Sequence, residues 1–246
     1  MPLVSGSVGI VAEPPSALPA STPIAMPASG SLEADGHGET DVGVWVEGFV
    51  IQRFPVTWRE LARFLAEPEG ARFRRSVLRD GPPVFRPDWP AVGLSWEGAQ
   101  AYARWLSART AQSWRLPYEI EWERAARGAD GRLYPWGDVA EAAFAHLRAD
   151  GRTPGRPVPV HQFPDDVSPF GVRGLAGNVR DWCADVHVAP QAVEGRTPSS
   201  TLGRRVVRGG SFRLPLESAR TTSRGALPAT QGYVDVGFRL VRSLAR

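Results

Sequence analysis

Residues that could carry out covalent, redox or metal chemistry are few in this chain of 246 residues. Its single cysteine, Cys183, excludes an intrachain disulfide and a zinc site built from cysteines. Ser211 follows the glycine pair Gly209–Gly210, but the flanking sequence lacks the strand–turn–helix pattern of a nucleophile elbow. The chain has four histidines, none of them at the HxxxH spacing of a helical metal site: His37, His146, His161 and His187.

The elements that must position these residues are predicted from hydrophobic periodicity and helix-capping signals. Residues 42–54 alternate apolar and polar side chains and are predicted to form a strand. Three helices are predicted, over residues 55–68, 92–110 and 115–128. Thr57 and Glu60 form the capping box of the first helix. A Pro- and Arg-rich loop is predicted to run to about residue 90, and short strands with long loops follow residue 129. This mixture predicts an α+β fold, with two or three helices around short antiparallel strands.

Composition indicates one loop-rich domain without a strongly charged partner. The net charge is +3, and all 29 basic residues are dispersed arginines, so we do not expect a nucleic acid partner. Residues 1–21 are rich in Pro, Ala and Ser and are predicted to be flexible. The sequence shows no signal peptide pattern and no apolar run of transmembrane length. We therefore expect a cytoplasmic protein without a membrane span, while a surface location or export by an unconventional route stays open.

Several motifs occur in a fixed order along the chain. They are MPASGSLEADG (26–36), FVIQRFPVTWREL (49–61), VGLSWEGAQAYARWLS (92–107), RLPYEIEWERAARG (115–128), LYPWGD (133–138), PVPVHQFPDDVSPFGVRGLAGNVRDW (157–182), RVVRGGSF (205–212) and VGFRLV (236–241). Together they resemble the formylglycine-generating-enzyme, or sulfatase-modifying-factor, family, whose fold is a variant of the C-type lectin fold. The resemblance implies a domain over residues 22–246, with a ligand-binding or variable region at about 205–241. Trp122 of RLPYEIEWERAARG and Trp182 of GLAGNVRDW are expected in the core, because large aromatic side chains dominate burial.

The resemblance also implies where catalysis would take place. Oxygen-dependent members of the family oxidise a substrate cysteine to formylglycine. They use a cysteine pair shortly after the GGS turn, which holds copper(I), a metal that soft thiolates select. Here residues 211–238 contain no cysteine. Another branch uses iron held by three histidines, which this histidine spacing does not offer. We therefore predict a domain without catalytic residues and keep a sulfatase-modifying oxidoreductase as the alternative.

Calcium is the one cofactor that the resemblance leaves open. One family site uses oxygen ligands around a GNVxD or GNVxE turn, which suits a hard cation. In this chain Gly177 and Val179 would supply carbonyl oxygens and Asp181 a carboxylate. The preceding ligand position is Gly174, which has no side chain to offer, and a second family site has His146 in place of an asparagine. The alternative is that Asp181 only accepts hydrogen bonds from backbone N–H groups.

The loops after RGGS and before GFRL form the ligand face in this fold, and loops on a rigid scaffold are where binding residues concentrate. The C-terminal frame resembles the variable region of diversity-generating retroelement variable proteins, and the central motifs look like domains fused to bacterial serine/threonine kinases. Both favour a monomeric domain that binds a protein or another macromolecule. For Leu214, Leu216 and Leu227, simple packing onto the core is an equal alternative. The predicted ligand-binding residues are Phe212, Arg213, Leu214, Leu216, Glu217, Ser218, Thr221, Leu227, Thr230, Gln231, Tyr233 and Asp235.

Overall fold

The computed structural model describes residues 23–26, 45–80, 85–148, 155–187 and 203–244. The segment 1–21, predicted to be flexible, lies outside the described residues, as does most of the 26–36 motif. The strands are β1 (Pro23–Met26), β2 (Phe49–Gln52), β3 (Arg180–Val186), β4 (Arg204–Arg208), β5 (Arg224–Pro228), β6 (Val236–Gly237) and β7 (Val241–Ser243). The helices are α1 (Trp58–Ala66), α2 (Pro68–Ala71), α3 (Arg74–Asp80), α4 (Trp96–Thr110) and α5 (Glu119–Arg127). These elements confirm the predicted α+β class.

The strands form two sheets. The first has the order β1-β2-β7 and is antiparallel, so that the beginning and the end of the described chain pair with the same central strand. The second has the order β5-β4-β3-β6, in which only the β3–β6 pair is parallel. The two-residue strand β6 pairs with the first residues of β3, so the chain that precedes β6 lies beside the start of β3. Asp181 of β3 pairs with Gly237 of β6 on one side and with Arg208 of β4 on the other, so the bases of the loop before β6 and of the loop after β4 flank β3.

The three predicted helices are present and are slightly shorter than predicted. At the start of α1, the Thr57 N–H donates to Oε2 of Glu60 at 2.7 Å, which is the carboxylate half of a capping box. The Thr57 hydroxyl also donates to this oxygen, at 2.7 Å. Ser95 caps α4 by accepting from the Gly98 N–H at 3.2 Å. Ala111 ends α4 in a left-handed conformation, with φ of 53°.

The prediction of a loop up to about residue 90 was wrong, because α2 and α3 lie in that segment. Pro68 begins α2 at a position where its missing N–H costs nothing. Phe73 and Val77 are four residues apart and both are buried, so their side chains fix the α3 segment on the core. Arginines occupy most neighbouring positions. Because only two apolar residues anchor the segment, its sequence shows little of the hydrophobic periodicity that predicts a helix.

Two large clusters and one small one make up the apolar core. The first joins α1 and α4 to the 236–240 segment through aromatic contacts, such as Tyr102 against Phe238 at 5.3 Å between ring centroids. The second lies between α5 and the sheets, around Trp122. Trp122 and Trp182 are both fully buried, as predicted. The small cluster contains Tyr134 and three alanines and lies beneath the C-terminal loop that follows β4. In the described ranges, no helix combines the length and the apolar character needed to cross a bilayer.

Candidate ligand-binding face

The Gly209–Gly210 turn is fixed by a close approach between two backbones. Gly209 has φ of 84°, a region that L side chains avoid. A Cβ on Gly209 would lie 2.5 Å from the carbonyl oxygen of Leu175, and a Cβ on Gly210 would lie 2.1 Å from that of Ala176. Only glycine fits at these two positions, because the obstacles are backbone atoms that cannot move aside. The turn therefore places the loop that follows it against the 175–177 segment.

Asp166 holds the 175–177 segment in place. Its buried carboxylate accepts hydrogen bonds from the N–H groups of Leu175, Ala176 and Gly177, each at 3.1 Å. Asp166 was not among the residues predicted from the sequence to have a role. The available signal was an aspartate pair, PDD at 164–166, which is a common loop composition. The structure shows that this side chain fixes the surface on which the glycine turn rests.

The buried carboxyl of Asp166 predicts a pH dependence of stability. Burial raises its pKa from 3.8 to about 6, and this effect exceeds that of the hydrogen bonds from Ala176 and Leu175, which lower it. Because the folded pKa is the higher one, the stabilising contribution is fully present below the unfolded pKa and is lost as the pH rises through the folded pKa. Asp166→Asn removes this titration while keeping the shape. We expect the unsubstituted protein to lose about 3 kcal/mol of unfolding free energy relative to the variant between about pH 4 and 7, measured by urea unfolding at each pH. A change of the opposite sign would contradict the prediction.

Ser211 is a buried anchor and not an exposed nucleophile. Its hydroxyl donates to Oδ2 of Asp235 at 2.9 Å and accepts from the Arg213 N–H at 3.3 Å. Asp235 also pairs with Arg180, whose Nη2 lies 3.1 Å from Oδ2. No histidine contacts this hydroxyl among the described residues, so a serine–histidine hydrolase is not assembled here. The Ser211–Asp235 bond instead ties the loop after β4 to the loop before β6.

The loop then exposes a mixed set of side chains. Arg213 and Glu217 are exposed, and Leu214, Leu216 and Ser218 are half-buried. The Leu214 carbonyl accepts from the Arg148 N–H at 2.9 Å, and this bond fixes the middle of the loop to the segment that contains Arg148. The side chain of Leu216 packs against the small cluster. The loop is therefore held at its base and centre while its charged tips face solvent.

A neighbouring turn, residues 133–139, extends this exposed surface. The backbones of Tyr134 and Gly137 exchange two hydrogen bonds of 2.8 and 3.0 Å, and the Trp136 ring stacks on Tyr134 at 5.2 Å. Leu133 is 39% exposed and Val139 is 71% exposed, so this turn adds apolar area to the surface. These residues belong to or follow the LYPWGD motif at 133–138 and were not predicted to lie on the ligand face.

Two contacts join the 133–139 turn to the C-terminal loop. The Thr221 N–H donates to the Leu133 carbonyl at 2.8 Å, and the Thr221 hydroxyl donates to the Arg132 carbonyl at 2.8 Å. Trp136 and Leu216 also pack on the same small cluster. We call the resulting surface the candidate face. It consists of Leu133, Trp136, Val139, Arg213, Leu214, Leu216 and Glu217.

The family model of the sulfatase-modifying factor enzyme 1-like domain matches residues 21–244. The chain belongs to this family. The family predicted from the ordered motifs is thereby confirmed, together with its C-type lectin-like fold.

Two curated relatives show the range of proteins that carry this sulfatase-modifying-factor-type domain. The chain is 30% identical over 231 residues to the serine/threonine-protein kinase Pkn1 of Chlamydia trachomatis, covering 80% of this chain and 35% of the kinase. It is 35% identical over 161 residues to the formylglycine-generating enzyme of Streptomyces coelicolor, covering 58% of this chain and 48% of the enzyme. The chain thus spans between a third and a half of the length of these relatives.

Two solved structures are similar over nearly the whole chain. PvdO from Pseudomonas aeruginosa is 26% identical, with a TM-score of 0.64 over 90% of this chain and 94% of that one. The variable protein 1 of Treponema denticola is 17% identical, with a TM-score of 0.68 over 90% of this chain and 95% of that one. At the latter identity the likeness shows a shared fold.

The copper(I) site of the catalytic family members does not fit the residues of this domain. The loop that would supply the thiolates has none, and the one thiol, Cys183, lies in β3 and is fully buried. Burial raises the pKa of the Cys183 thiol well above its ordinary value, so this sulfur stays protonated and behaves as a small apolar group. A second thiolate is also lacking, because the chain contains no other cysteine.

Part of the calcium set predicted from the sequence forms hydrogen bonds within the domain. Oδ2 of Asp181 accepts from Arg239 Nε at 2.6 Å and from Trp122 Nε1 at 2.9 Å, and the whole side chain is buried. The Gly177 carbonyl accepts from the Val179 N–H at 2.8 Å. Oδ1 of Asp181 is buried and has no hydrogen-bond partner among the described residues, while the Arg239 guanidinium lies beside Oδ2 as a competing cation. Calcium binding by Gly177, Val179 and Asp181 therefore stays a prediction.

The twelve residues predicted to bind ligand do not share one environment. Phe212, Thr221 and Asp235 are buried, so their assignment as surface contacts needs correction: each bonds or stacks inward to hold a loop. Leu227 and Tyr233 are half-buried and pack against the first core cluster. Thr230 and Gln231 are exposed near them. The remaining five are Arg213, Leu214, Leu216, Glu217 and Ser218, which belong to the loop at the candidate face.

Proposed function

We propose that this chain is a non-catalytic binding domain that captures a protein ligand through the candidate face. The observation that carries the proposal is that the loop after Gly209–Gly210 has a fixed base and exposed side chains. Its base is fixed by the buried Ser211–Asp235 bond, while Arg213 and Glu217 reach solvent beside Leu214 and Leu216. The loop offers contact groups and no reactive thiol.

The composition of the candidate face supports a protein ligand. Aromatic and arginine side chains provide much of the energy in protein interfaces, especially when apolar neighbours exclude water around them. Trp136 and Arg213 are such anchors, and Leu133 and Val139 provide exposed apolar area beside Trp136. Both segments are braced by backbone hydrogen bonds, so little conformational entropy would be lost on binding.

A finer form of the proposal is that the domain is the variable protein of a diversity-generating retroelement. The frame RVVRGGSF at 205–212 and VGFRLV at 236–241 encloses the loop as it does in such proteins. The similarity to the Treponema denticola variable protein supports the fold that this use requires. The neighbouring DNA is the test: a reverse-transcriptase gene and a near-copy of the 3′ end, differing at adenines, are expected, and their absence removes this form.

The second candidate function is that of a sulfatase-modifying oxidoreductase, which the 35% identity to a formylglycine-generating enzyme favours. The purified chain, supplied with copper(I), oxygen and a cysteine-containing sulfatase peptide, separates the two. We expect no formylglycine, because the loop has no thiolate pair to hold copper. The Streptomyces enzyme serves as the positive control. Turnover by the purified chain would refute the binding-only function.

Substitution of Arg213 tests the binding face directly. Peptides selected from a random display library on the purified chain serve as probes, and Arg213→Ala is expected to weaken their binding at least about tenfold. The melting temperature should hardly change, since Arg213 is exposed and its side chain bonds to no described residue. Arg59→Ala on α1 is the matched control, because Arg59 is exposed but lies outside the candidate face. Equal binding by both variants would count against this face.

A further inference from the structure

An arginine-rich surface lies where the chain around the start of α1 meets the segments 85–90 and 156–173, and it includes no residue of the candidate face. Backbone hydrogen bonds bring these segments together. The Arg59 N–H donates to the Pro87 carbonyl at 3.0 Å, and the Val160 N–H donates to the Asp88 carbonyl at 3.0 Å. The Arg173 N–H donates to the Arg53 carbonyl at 2.8 Å. Arginines that are dispersed in the sequence thus meet on one surface, which we call the arginine face: Arg53, Arg59, Arg86, Arg156 and Arg173.

The guanidinium groups of the arginine face have no carboxylate partner among the described residues. Pairing is common elsewhere in the described chain, where eight other arginines, such as Arg115 with Glu121, form ion pairs. The positive charge of the arginine face is therefore not neutralised by contacts within the described domain.

The positive charge of the chain is concentrated at this face. In the same segments only Asp88 and Asp165 bring a carboxylate to solvent, because Glu60 and Asp166 are buried. With its five arginines, the face thus carries a charge of +3, as much as the formal net charge of the whole chain. Such a local excess attracts and orients a negatively charged partner.

Aromatic rings hold three of the five guanidinium groups in place. Those of Arg86 and Arg156 each lie 5.8 Å from the centroid of the Trp89 ring. That of Arg173 lies 5.4 Å from the centroid of the Phe54 ring. Cation–π contacts of this kind restrain the long side chains. Less conformational entropy is therefore lost when these arginines bind a partner.

The rings of the arginine face favour a protein partner over a single-stranded nucleic acid. Single strands bind by stacking their bases on exposed aromatic faces. Here Trp89 is only 5% exposed, and guanidinium groups already lie over its ring. Phe85 is 38% exposed and meets the Trp58 ring at 4.3 Å, so it offers an apolar contact at the rim. Arginine beside aromatic side chains is the composition that protein interfaces favour.

We propose that the arginine face binds an acidic segment of a partner protein, in which carboxylates flank an apolar side chain. The carboxylates accept hydrogen bonds from Arg86 and Arg156, whose planar guanidinium groups match carboxylate geometry. The apolar side chain packs on Phe85. This surface is separate from the candidate face, so the inference does not depend on the proposed function.

The test measures fluorescence anisotropy of labelled probes with the whole chain, at low and at physiological ionic strength. The first probe is the octapeptide Glu-Glu-Phe-Glu-Glu-Leu-Glu-Glu, and the second has every glutamate replaced by glutamine. The third is a single-stranded oligothymidylate. We expect saturable binding of the glutamate peptide, at least about tenfold tighter than that of the glutamine peptide, because hydrogen bonds to charged groups are the strong ones. Salt should weaken this binding, since the charges are exposed.

The Arg86→Ala/Arg156→Ala variant is expected to bind the glutamate peptide at least about tenfold more weakly, because both guanidinium groups on Trp89 are lost. Arg72→Ala/Arg104→Ala is the matched control, since it removes the same charge from two exposed positions outside this face. Arg72 also resembles Arg86 in lying over a ring, that of Phe73 at 4.7 Å. The control should bind as the unsubstituted chain does.

Four results would overturn the inference. The first is no saturable binding of the glutamate peptide at low ionic strength, and the second is equal binding of the glutamine peptide. Both comparisons use the unsubstituted chain, so neither depends on the folding of a variant. The third is tighter binding of the oligothymidylate, which would make this surface a nucleic acid site. The fourth is equal weakening by the two double variants, since binding would then follow the overall charge.

Discussion

Arg239→Met is expected to lower the free energy of unfolding by about 3–5 kcal/mol, because it leaves the Asp181 carboxylate buried without its counter-charge. The guanidinium is fully buried, and its Nε donates to Asp181 at 2.6 Å. Its Nη2 also donates to the carbonyls of Arg173 and Gly174, at 3.0 and 2.8 Å. One side chain thus joins β3 to the segment that leads into the 175–177 turn. Urea unfolding followed by circular dichroism measures the loss.

Arg224→Met is the matched control for this prediction. Arg224 also pairs with a carboxylate, that of Glu119, at 2.7 Å, but both side chains of this pair are about a third exposed. Exposed pairs contribute little, so this variant should lose less than about 1 kcal/mol. Equal losses in the two variants would show that the burial of the Arg239–Asp181 pair has no special effect on stability.

Gly209→Ala is expected to destabilise the domain by about 2–5 kcal/mol, from two causes. The φ of 84° at Gly209 costs an alanine roughly 1–2 kcal/mol. The new Cβ would also lie 2.5 Å from the Leu175 carbonyl oxygen and 3.1 Å from the Trp122 ring, and overpacking of this kind costs about 1–3 kcal/mol. Thermal and urea unfolding of the variant measure the sum.

Gly203→Ala separates these two causes. Gly203 has nearly the same φ, 86°, but a Cβ there would meet nothing within 4 Å. This control should therefore show only the cost of the backbone conformation. The difference between the two variants measures the close approach of the Gly209–Gly210 turn to the 175–177 segment. If Gly203→Ala were as destabilising as Gly209→Ala, the close approach would have no energetic weight.

Much of the fold could be predicted because its signals are local. The capping box at Thr57 and Glu60, the cap at Ser95 and the apolar periodicity of α4 each depend on residues within a few positions of one another. The order of the motifs added the family, which no single element indicates. The short helices α2 and α3 were missed because the segment is stabilised by tertiary packing of Phe73 and Val77. Its own helical propensity contributes less.

The candidate site was predicted only in part, because burial in loops has no periodicity. The sequence places Phe212 and Arg213 side by side, yet the first is buried against His146 and the second is exposed. Asp166 and Arg239 were missed for a related reason, because their partners are distant along the chain. The partners of Asp166 lie about ten positions away, and those of Arg239 lie nearly sixty or more positions away. The exposed turn at 133–139 joins the face through Thr221, a contact 88 residues distant in sequence.

The groups that hold the 211–218 loop in place are different from the side chains that the loop exposes. Its anchors are glycine backbone, the buried hydroxyl of Ser211 and the Leu214 carbonyl, none of which depends on the identity of the exposed side chains. Arg213 and Glu217 can therefore be exchanged for almost any residue without a folding penalty. Under the proposed binding function, a few substitutions at these exposed positions would change the ligand that the domain binds while the scaffold remains unchanged.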